Sequence, residues 1–297
     1  MKNAHQSELV VGPGSSTPIA RLPDVADVLI IGAGAGGSVA AAALAARGIG
    51  VVCLEQGDWF DDETYLGSTP ESDVAWDEIF NPDPLARRAP ADYPVIGPDA
   101  DIRAVMANGV GGSMLQWAGM WHPLMPSDFK VRSEDGVADD WPLDYDELKP
   151  FYERVSQDMA VSGISGDPLS PPLDMEFLPP LPIGALGRRA ARGMNELGWH
   201  WWPGTNALAS REHNGLHKCH LWGTCMIGCP EGAKAHPGIV YWPAALRDGA
   251  QLVTGARVRE ISVDDRGLAT GATWIDRDGS EHHQRASVVI LAANAVL

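Results

Sequence analysis

Apolar and polar positions along the first sixty residues come in blocks and do not alternate singly. After a polar leader (residues 1–24), DVLII at 27–31 is one continuous apolar run, the pattern of a strand buried on both faces of a parallel sheet. GAGAGG follows, and SVAAAALAAR then predicts an alanine-rich helix ending at Gly48. VVCLE predicts a second strand closing on Glu55. The last sixty residues read as short strands: QLVT, ARVREISVD, LATGATWIDRD and ASVVILAANA, with Asp276 to Gly279 as a turn before the last. The apolar run 286–291 is expected to rejoin the first sheet. The sheet is therefore split in sequence, with an insertion in its middle.

The insertion has a different texture. Pro84 to Pro98 reads as loop. In WPLDYDELKPFYERVSQDM, Asp144 with Glu147 three residues on has capping-box spacing and predicts a helix start. Tyr145, Leu148, Tyr152 and Val155 recur at helical intervals as core contacts, and Pro150 falls in the first turns, where its missing N–H matters little. Ser162 to Gly184 is a Pro/Gly-rich connector. A second helix carries Leu186, Ala190, Met194 and Leu197 on one stripe, and Trp199, Trp201 and Trp202 are expected in a half-buried strand. No internal repeat or low-complexity segment occurs.

Gly32, Gly34 and Gly37 fill the three glycine places of a dinucleotide fingerprint: the tight turn, the close approach to pyrophosphate, and helix–strand packing. The pyrophosphate would sit at the helix N-terminus, where unpaired N–H groups and the dipole favour an anion. Glu55 stands eighteen residues past Gly37, near the spacing of about twenty expected for a ribose-binding acid. A glycine-rich turn without ligand explains the glycines alone, but not the ordered strand, helix, strand and acid. Ala107 to Pro123, ANGVGGSMLQWAGMWHP, brings further glycines and tryptophans that suit close contact with a planar or anionic ligand, or else form a tight surface loop.

Composition narrows the partners. The chain has 297 residues, 45% hydrophobic and 21% charged, and a net charge of −17, a field that repels phosphate backbones and disfavours nucleic acid. No apolar run reaches the roughly 18 residues of a membrane span. The N-terminus lacks the apolar core of a secretory signal, so no export address of its own is expected. Of four cysteines, Cys53 lies in an apolar run and reads as a buried small hydrophobe. Cys219, Cys225 and Cys229 fall within eleven residues, as Cys-x5-Cys-x3-Cys-Pro. The second half copies the end of a ferredoxin-type ligand run, while Gly223 and Gly228 allow the turns that aim thiolates inward. An iron–sulfur cluster, a zinc site completed by His217 or His220, and reduced structural thiols all remain open on spacing.

These segments together resemble the glucose–methanol–choline (GMC) oxidoreductases, nearest to the catalytic subunits of bacterial FAD-dependent sugar dehydrogenases acting on glucose, fructose, sorbitol or gluconate. The resemblance runs through DVLIIGAGAGGSVAAAALAARGIGVVCLE, GVGGSMLQWAGMWHPLMPSDF, DWPLDYDELKPFYERV, and CHLWGTCMIGCPEGAKAHPGIVYWPAAL on to VVILAANA. It implies an α/β fold, a Rossmann-like FAD-binding domain of the p-hydroxybenzoate-hydroxylase-like kind, split by a partly helical insertion that includes the start of an α+β substrate domain. The domain would occupy 25–125 and 237–297, the insertion 126–215 and the cysteine-rich loop 216–236. FAD would be held at Gly32, Gly34, Gly37 and Glu55, with Gly111, Gly112 and Ser113 near its phosphates and ribityl chain. Trp117, Ala118 and Gly119 would lie near the isoalloxazine, although Ala118-Gly119 replaces the family's asparagine–glycine pair. Val258 would meet the adenine through its backbone.

The resemblance also implies a three-iron, four-sulfur cluster on Cys219, Cys225 and Cys229. It implies oxidation of a sugar or other alcohol, and electron flow from flavin through the cluster to a cytochrome c subunit. A small companion subunit with an export signal would carry the protein to the periplasmic face of the inner membrane; unpartnered, it would stay in the cytoplasm. Family members run to about twice this length. Their catalytic histidine belongs to a C-terminal half, so no catalytic residue is expected here, and His122 and His236 read as surface or supporting residues. The rival reading is an inactive FAD-binding fragment whose cysteines hold zinc or nothing. An NAD-dependent dehydrogenase would leave the cysteines and the glycine–tryptophan segment unexplained.

Overall fold

The computed structural model describes residues 9–10, 21–60, 81–89, 92 and 105–294. Its strands are β1 (Leu9–Val10), β2 (Val25–Ile31), β3 (Val51–Leu54), β4 (Gln251–Val253), β5 (Arg257–Val263), β6 (Ala269–Ile275) and β7 (Glu281–Leu291). Its α-helices are α1 (Ala35–Ala45), α2 (Pro84–Arg87), α3 (Val131–Asp135), α4 (Tyr145–Asp158), α5 (Gly184–Glu196), α6 (Pro237–Val240) and α7 (Trp242–Arg247). Most of the leader and residues 93–98 lie outside the described part. The chain divides into two compact units, one of residues 1–118, 222–230 and 236–297, the other of residues 119–221 and 231–235.

The first unit is built on one seven-stranded sheet, in the order β1-β4-β3-β2-β7-β6-β5. Strands β4, β3, β2 and β7 run parallel, which explains why β2 and β3 are apolar at nearly every position. Alternate residues serve opposite faces. Val28, Ile30, Val51 and Cys53 pack with Ala41 and Ala45 of α1 and with Trp242, Ala245 and Leu246 of α7. Leu29, Ile31, Val52 and Leu54 face the other way and join Val253, Ala272, Trp274 and Ala286. Strand β7 does rejoin the first sheet, pairing Val28 with Val288 and Ile30 with Ile290. It begins earlier than its apolar run suggests: residues 281–285 pair antiparallel with β6, after a turn in which the Gly279 amide donates to the Asp276 carbonyl.

The second unit is carried by α4, α5 and short bridges. Asp144 accepts from the Glu147 amide at 3.0 Å while Glu147 accepts from the Asp144 amide, the expected reciprocal cap of α4. Tyr145 is buried, stacks on Tyr152 at 6.1 Å and donates its hydroxyl to the Pro172 carbonyl. Residues 207–209 run beside 233–235, Ala209 to Ala233 and Ala235 to Ala207, around the fully buried Lys234.

Three local expectations need correction. Pro84–Arg87 is helical, because Asp83 caps the Leu85 amide at 2.9 Å and Pro84 occupies the first turn. Pro150 is the sixth residue of α4, beyond the first turn, so the Asp146 carbonyl loses its usual donor at an exposed face. Trp199, Trp201 and Trp202 form no strand. Gly198 closes α5 at φ +67°, the Trp199 amide is spent on the Met194 carbonyl, and the Trp201 and Trp202 indoles donate to Asn195 Oδ1 and the Ile164 carbonyl. The expected second helix forms as α5, with Leu186 83% exposed and Ala191 its buried residue.

Candidate nucleotide-binding site

The turn between β2 and α1 explains its own glycines. Gly32 has φ +98°, and a Cβ there would stand 2.8 Å from the Ala292 carbonyl oxygen at the end of β7. A Cβ on Gly37 would stand 2.0 Å from the Gly32 oxygen, so the first turn of α1 can lie on the strand only if residue 37 is glycine. Gly34 is the N-cap of α1 and brings no side-chain cap; the first turn carries no acid. The N–H end of an eleven-residue helix thus opens onto bare backbone.

The second glycine segment packs against the first. The Gly111 amide donates to the Ala33 carbonyl at 3.0 Å, and Gly112 at φ +57° lies so close that a Cβ on it would be 3.0 Å from Gly34 Cα. Gly112 to Leu115 forms a short 3-10 turn with Ser113 exposed on it. Two glycine backbones therefore face each other at the mouth of α1, where any side chain would fill the space. Such a place suits a pyrophosphate.

Glu55 sits at the end of β3 and is buried. Its carboxylate accepts from the Ala33 amide and from the Gly57 amide, both at 2.8 Å. Burial pushes its pKa above the ordinary value; the amides of Ala33, Gly57 and Gln56 pull it back, and Asp58 adds to the rise. Each oxygen retains lone-pair capacity for a ribose hydroxyl. Burial, with Glu55 adding a smaller charge effect, also raises the Cys53 thiol well above its usual value. Val258 lies on β5 opposite Trp274, half-buried against the second core face, next to a bulge in the β5–β6 pairing.

The sequence did not reveal the groups that brace this turn. The Ala33 carbonyl accepts from the Gly111 amide and from Trp242 Nε1, while its amide goes to Glu55. Trp242 is fully buried, and its only sequence signal is a Trp-Pro pair at a helix start. His236 is buried, not surface: its Nδ1 accepts from the Gly238 amide at 3.1 Å as cap of α6, and a Cβ on Gly111 would stand 3.3 Å from that nitrogen. His122 is exposed, with Nδ1 3.2 Å from Thr205 Oγ1.

The remaining predicted residues divide between the two units. Trp117 is half-buried and Ala118 exposed at the last positions of the first unit's leading segment. Gly119 belongs to the second unit, where its φ is +79° and a Cβ would press on Leu208 at 3.0 Å. Cys219 also belongs to the second unit; its amide donates to Ala209 and its sulfur accepts from the Leu221 amide at 3.4 Å. Cys225 begins a 3-10 turn and Cys229 follows Gly228, both in the first unit. Gly223 and Gly228 take the positive φ expected of them. His220 lies 3.4 Å from Glu231 and His217 3.9 Å from Glu212. Among the described residues no three His, Cys, Asp or Glu side chains are gathered as ligands for a metal ion.

Comparison with known proteins agrees with the fold. The chain is 37% identical over 277 residues to 2-methyl-1,2-propanediol dehydrogenase of Mycolicibacterium austroafricanum, covering 92% of this chain and 50% of that protein. It is 30% identical to the fructose dehydrogenase large subunit of Gluconobacter japonicus, covering 91% and 52%. The crystal structure of pyridoxine 4-oxidase from Mesorbium loti superposes with TM-score 0.58 at 20% identity, over 91% of this chain and 50% of that one, and supports the fold alone. The chain spans about half the length of the curated relatives it matches. Residues 26–297 match the family model described as GMC oxidoreductase, and the chain belongs to that family, with its FAD-binding fold.

Proposed function

We propose that this chain binds FAD in the cradle of Gly32, Gly34, Gly37, Gly111, Gly112 and Ser113, with Glu55 on the ribose and the Val258 backbone at the adenine. In the protein it serves, it would form the flavin half of an enzyme that oxidises a sugar or other alcohol. The observation that carries the reading is the approach of Gly112 to Gly34 over the uncapped N-terminus of α1, beside the buried carboxylate of Glu55. Bound FAD would supply a hydride acceptor for the substrate carbon. The chain's own part is to hold the phosphates on amides, orient the adenosine and keep water out of the sheet end. The names of its relatives, a propanediol dehydrogenase and a fructose dehydrogenase subunit, support an alcohol as the substrate class.

The finer reading adds a three-iron, four-sulfur cluster on Cys219, Cys225 and Cys229, a cytochrome c acceptor, a small export companion and a periplasmic location. The cysteine spacing supports the cluster, and a relative named as a large subunit supports companion subunits; no step is routed through a cluster. Titration of the purified chain with FAD, with NAD as control, tests the core claim. Saturable quenching of flavin fluorescence is expected, and no uptake of FAD would sink the reading. Iron and acid-labile sulfide, measured after anaerobic reconstitution, test the cluster separately; their absence, or zinc in their place, would remove it.

A further inference from the structure

The loop after Glu55 is held from behind by a partly buried polar chain. Gln56, the residue after Glu55, donates its amide to Asn108 Oδ1 at 2.6 Å. Asn108 donates in turn to Asp92 Oδ1 at 2.5 Å. Asp92 also accepts from Arg87 Nε at 2.9 Å, Arg87 Nη2 at 2.5 Å and the Ala89 amide at 3.1 Å. Arg87 closes the series on the Asn81 carbonyl at 2.5 Å. The side chains of Arg87 and Asp92 are only 6% and 1% exposed, so this ion pair is fixed in a region that water does not reach.

The backbone is locked at the same place. A Cβ on Gly57 would stand 2.2 Å from the Asn108 carbonyl oxygen, Asp58 bridges Gly109, and the Val110 amide donates to the Asp58 carbonyl. Residues 56–58 therefore follow the path set by 108–110, and that path points the Gly57 amide back at Glu55 Oε1. Without it, a buried carboxylate would lose one of the amide bonds that hold its plane.

From this geometry we infer that Gln56, Asn108 and Asp92 are positioning residues for the adenosine end of the bound nucleotide: they set the rotamer of Glu55 through the Gly57 amide and touch no ligand themselves. The inference rests on the FAD reading above. It predicts a split between ligands. Those carrying adenosine depend on the chain of bonds, and those without adenosine do not.

The test uses the full chain with ADP, FAD and FMN as ligands and two variants, Asn108→Leu and Gln56→Leu. Gln56→Leu cuts the chain at its outer link and leaves the buried Arg87–Asp92 pair intact, which guards against mere unfolding. Calorimetric titration is expected to show ADP and FAD binding about tenfold weaker in both variants, a loss of one charge-assisted bond's size. FMN binding and the Gln56→Leu melting temperature should stay at wild-type values. Variants that bind ADP like wild type, or lose FMN as fully as ADP, overturn the inference while the FAD reading stands. A wild-type chain that takes up neither ADP nor FAD overturns both.

Discussion

The indole of Trp242 donates to the carbonyl of Ala33 at 3.0 Å, joining residues 209 positions apart inside the core. The same carbonyl accepts from Gly111, so one peptide unit couples the fingerprint turn, the second glycine segment and α7. Trp242→Phe keeps an aromatic ring but removes the donor and the pyrrole part of the bicycle, and is expected to cost about 1–3 kcal/mol. Trp242→Ala opens a larger cavity and should cost roughly 3–5 kcal/mol. Urea denaturation of both variants checks that order.

Neighbouring glycines in α1 should behave oppositely. Gly37→Ala places a methyl 2.0 Å from the Gly32 oxygen, so helix and strand must part; a loss of about 2 kcal/mol and of ADP binding is expected. Gly36 has nothing within 4 Å of its would-be Cβ. Gly36→Ala should be neutral or stabilising by up to about 1 kcal/mol. Thermal melts with and without ADP check the pair.

Glu55 gives the free chain a pH signature. Its pKa is raised in the folded state by burial, so the folded form keeps a proton that the unfolded form has already lost. Stability from this group is full below the ordinary glutamate value of 4.5 and is lost as pH rises through the raised folded value. Denaturation midpoints measured across that window should fall with pH more steeply in wild type than in Glu55→Gln. Equal slopes would show that Glu55 does not titrate in this way.

Thiol chemistry should sort the cysteines. Cys53 is fully buried with a raised pKa, whereas Cys219, Cys225 and Cys229 are partly exposed. Iodoacetamide applied to the native metal-free chain should modify the three and spare Cys53 until denaturant is added, as read by peptide mass spectrometry.

What the sequence disclosed follows from range. The β2–α1–β3 unit was legible because each signal is local: an apolar run, glycines at contact points, an acid at the strand end. Asp144 and Glu147 announced α4 for the same reason. Trp242 was illegible because Ala33 lies 209 positions away, and the Gln56–Asn108 bond because it spans 52; the His236 cap on Gly238 is local, but a His-Pro pair does not announce it. The tryptophans at 199–202 misled because alternation says nothing of a ladder partner, and the Gly198 turn had already taken the first amide.

Strand β7 lies between two kinds of pairing. Arg285 faces Gly271 across an antiparallel ladder and Val25 across a parallel one. Just beyond, Gln284 reaches the Pro23 carbonyl, 261 residues earlier in the chain. During synthesis the leading strand must therefore wait, one hydrogen-bonding edge bare, until almost all the described polypeptide has left the ribosome. Closure of so distant a pair is slow, and an unpaired apolar edge is sticky in the meantime. Yield in a cell should consequently depend on what shelters that edge during translation more than on the final strength of the sheet.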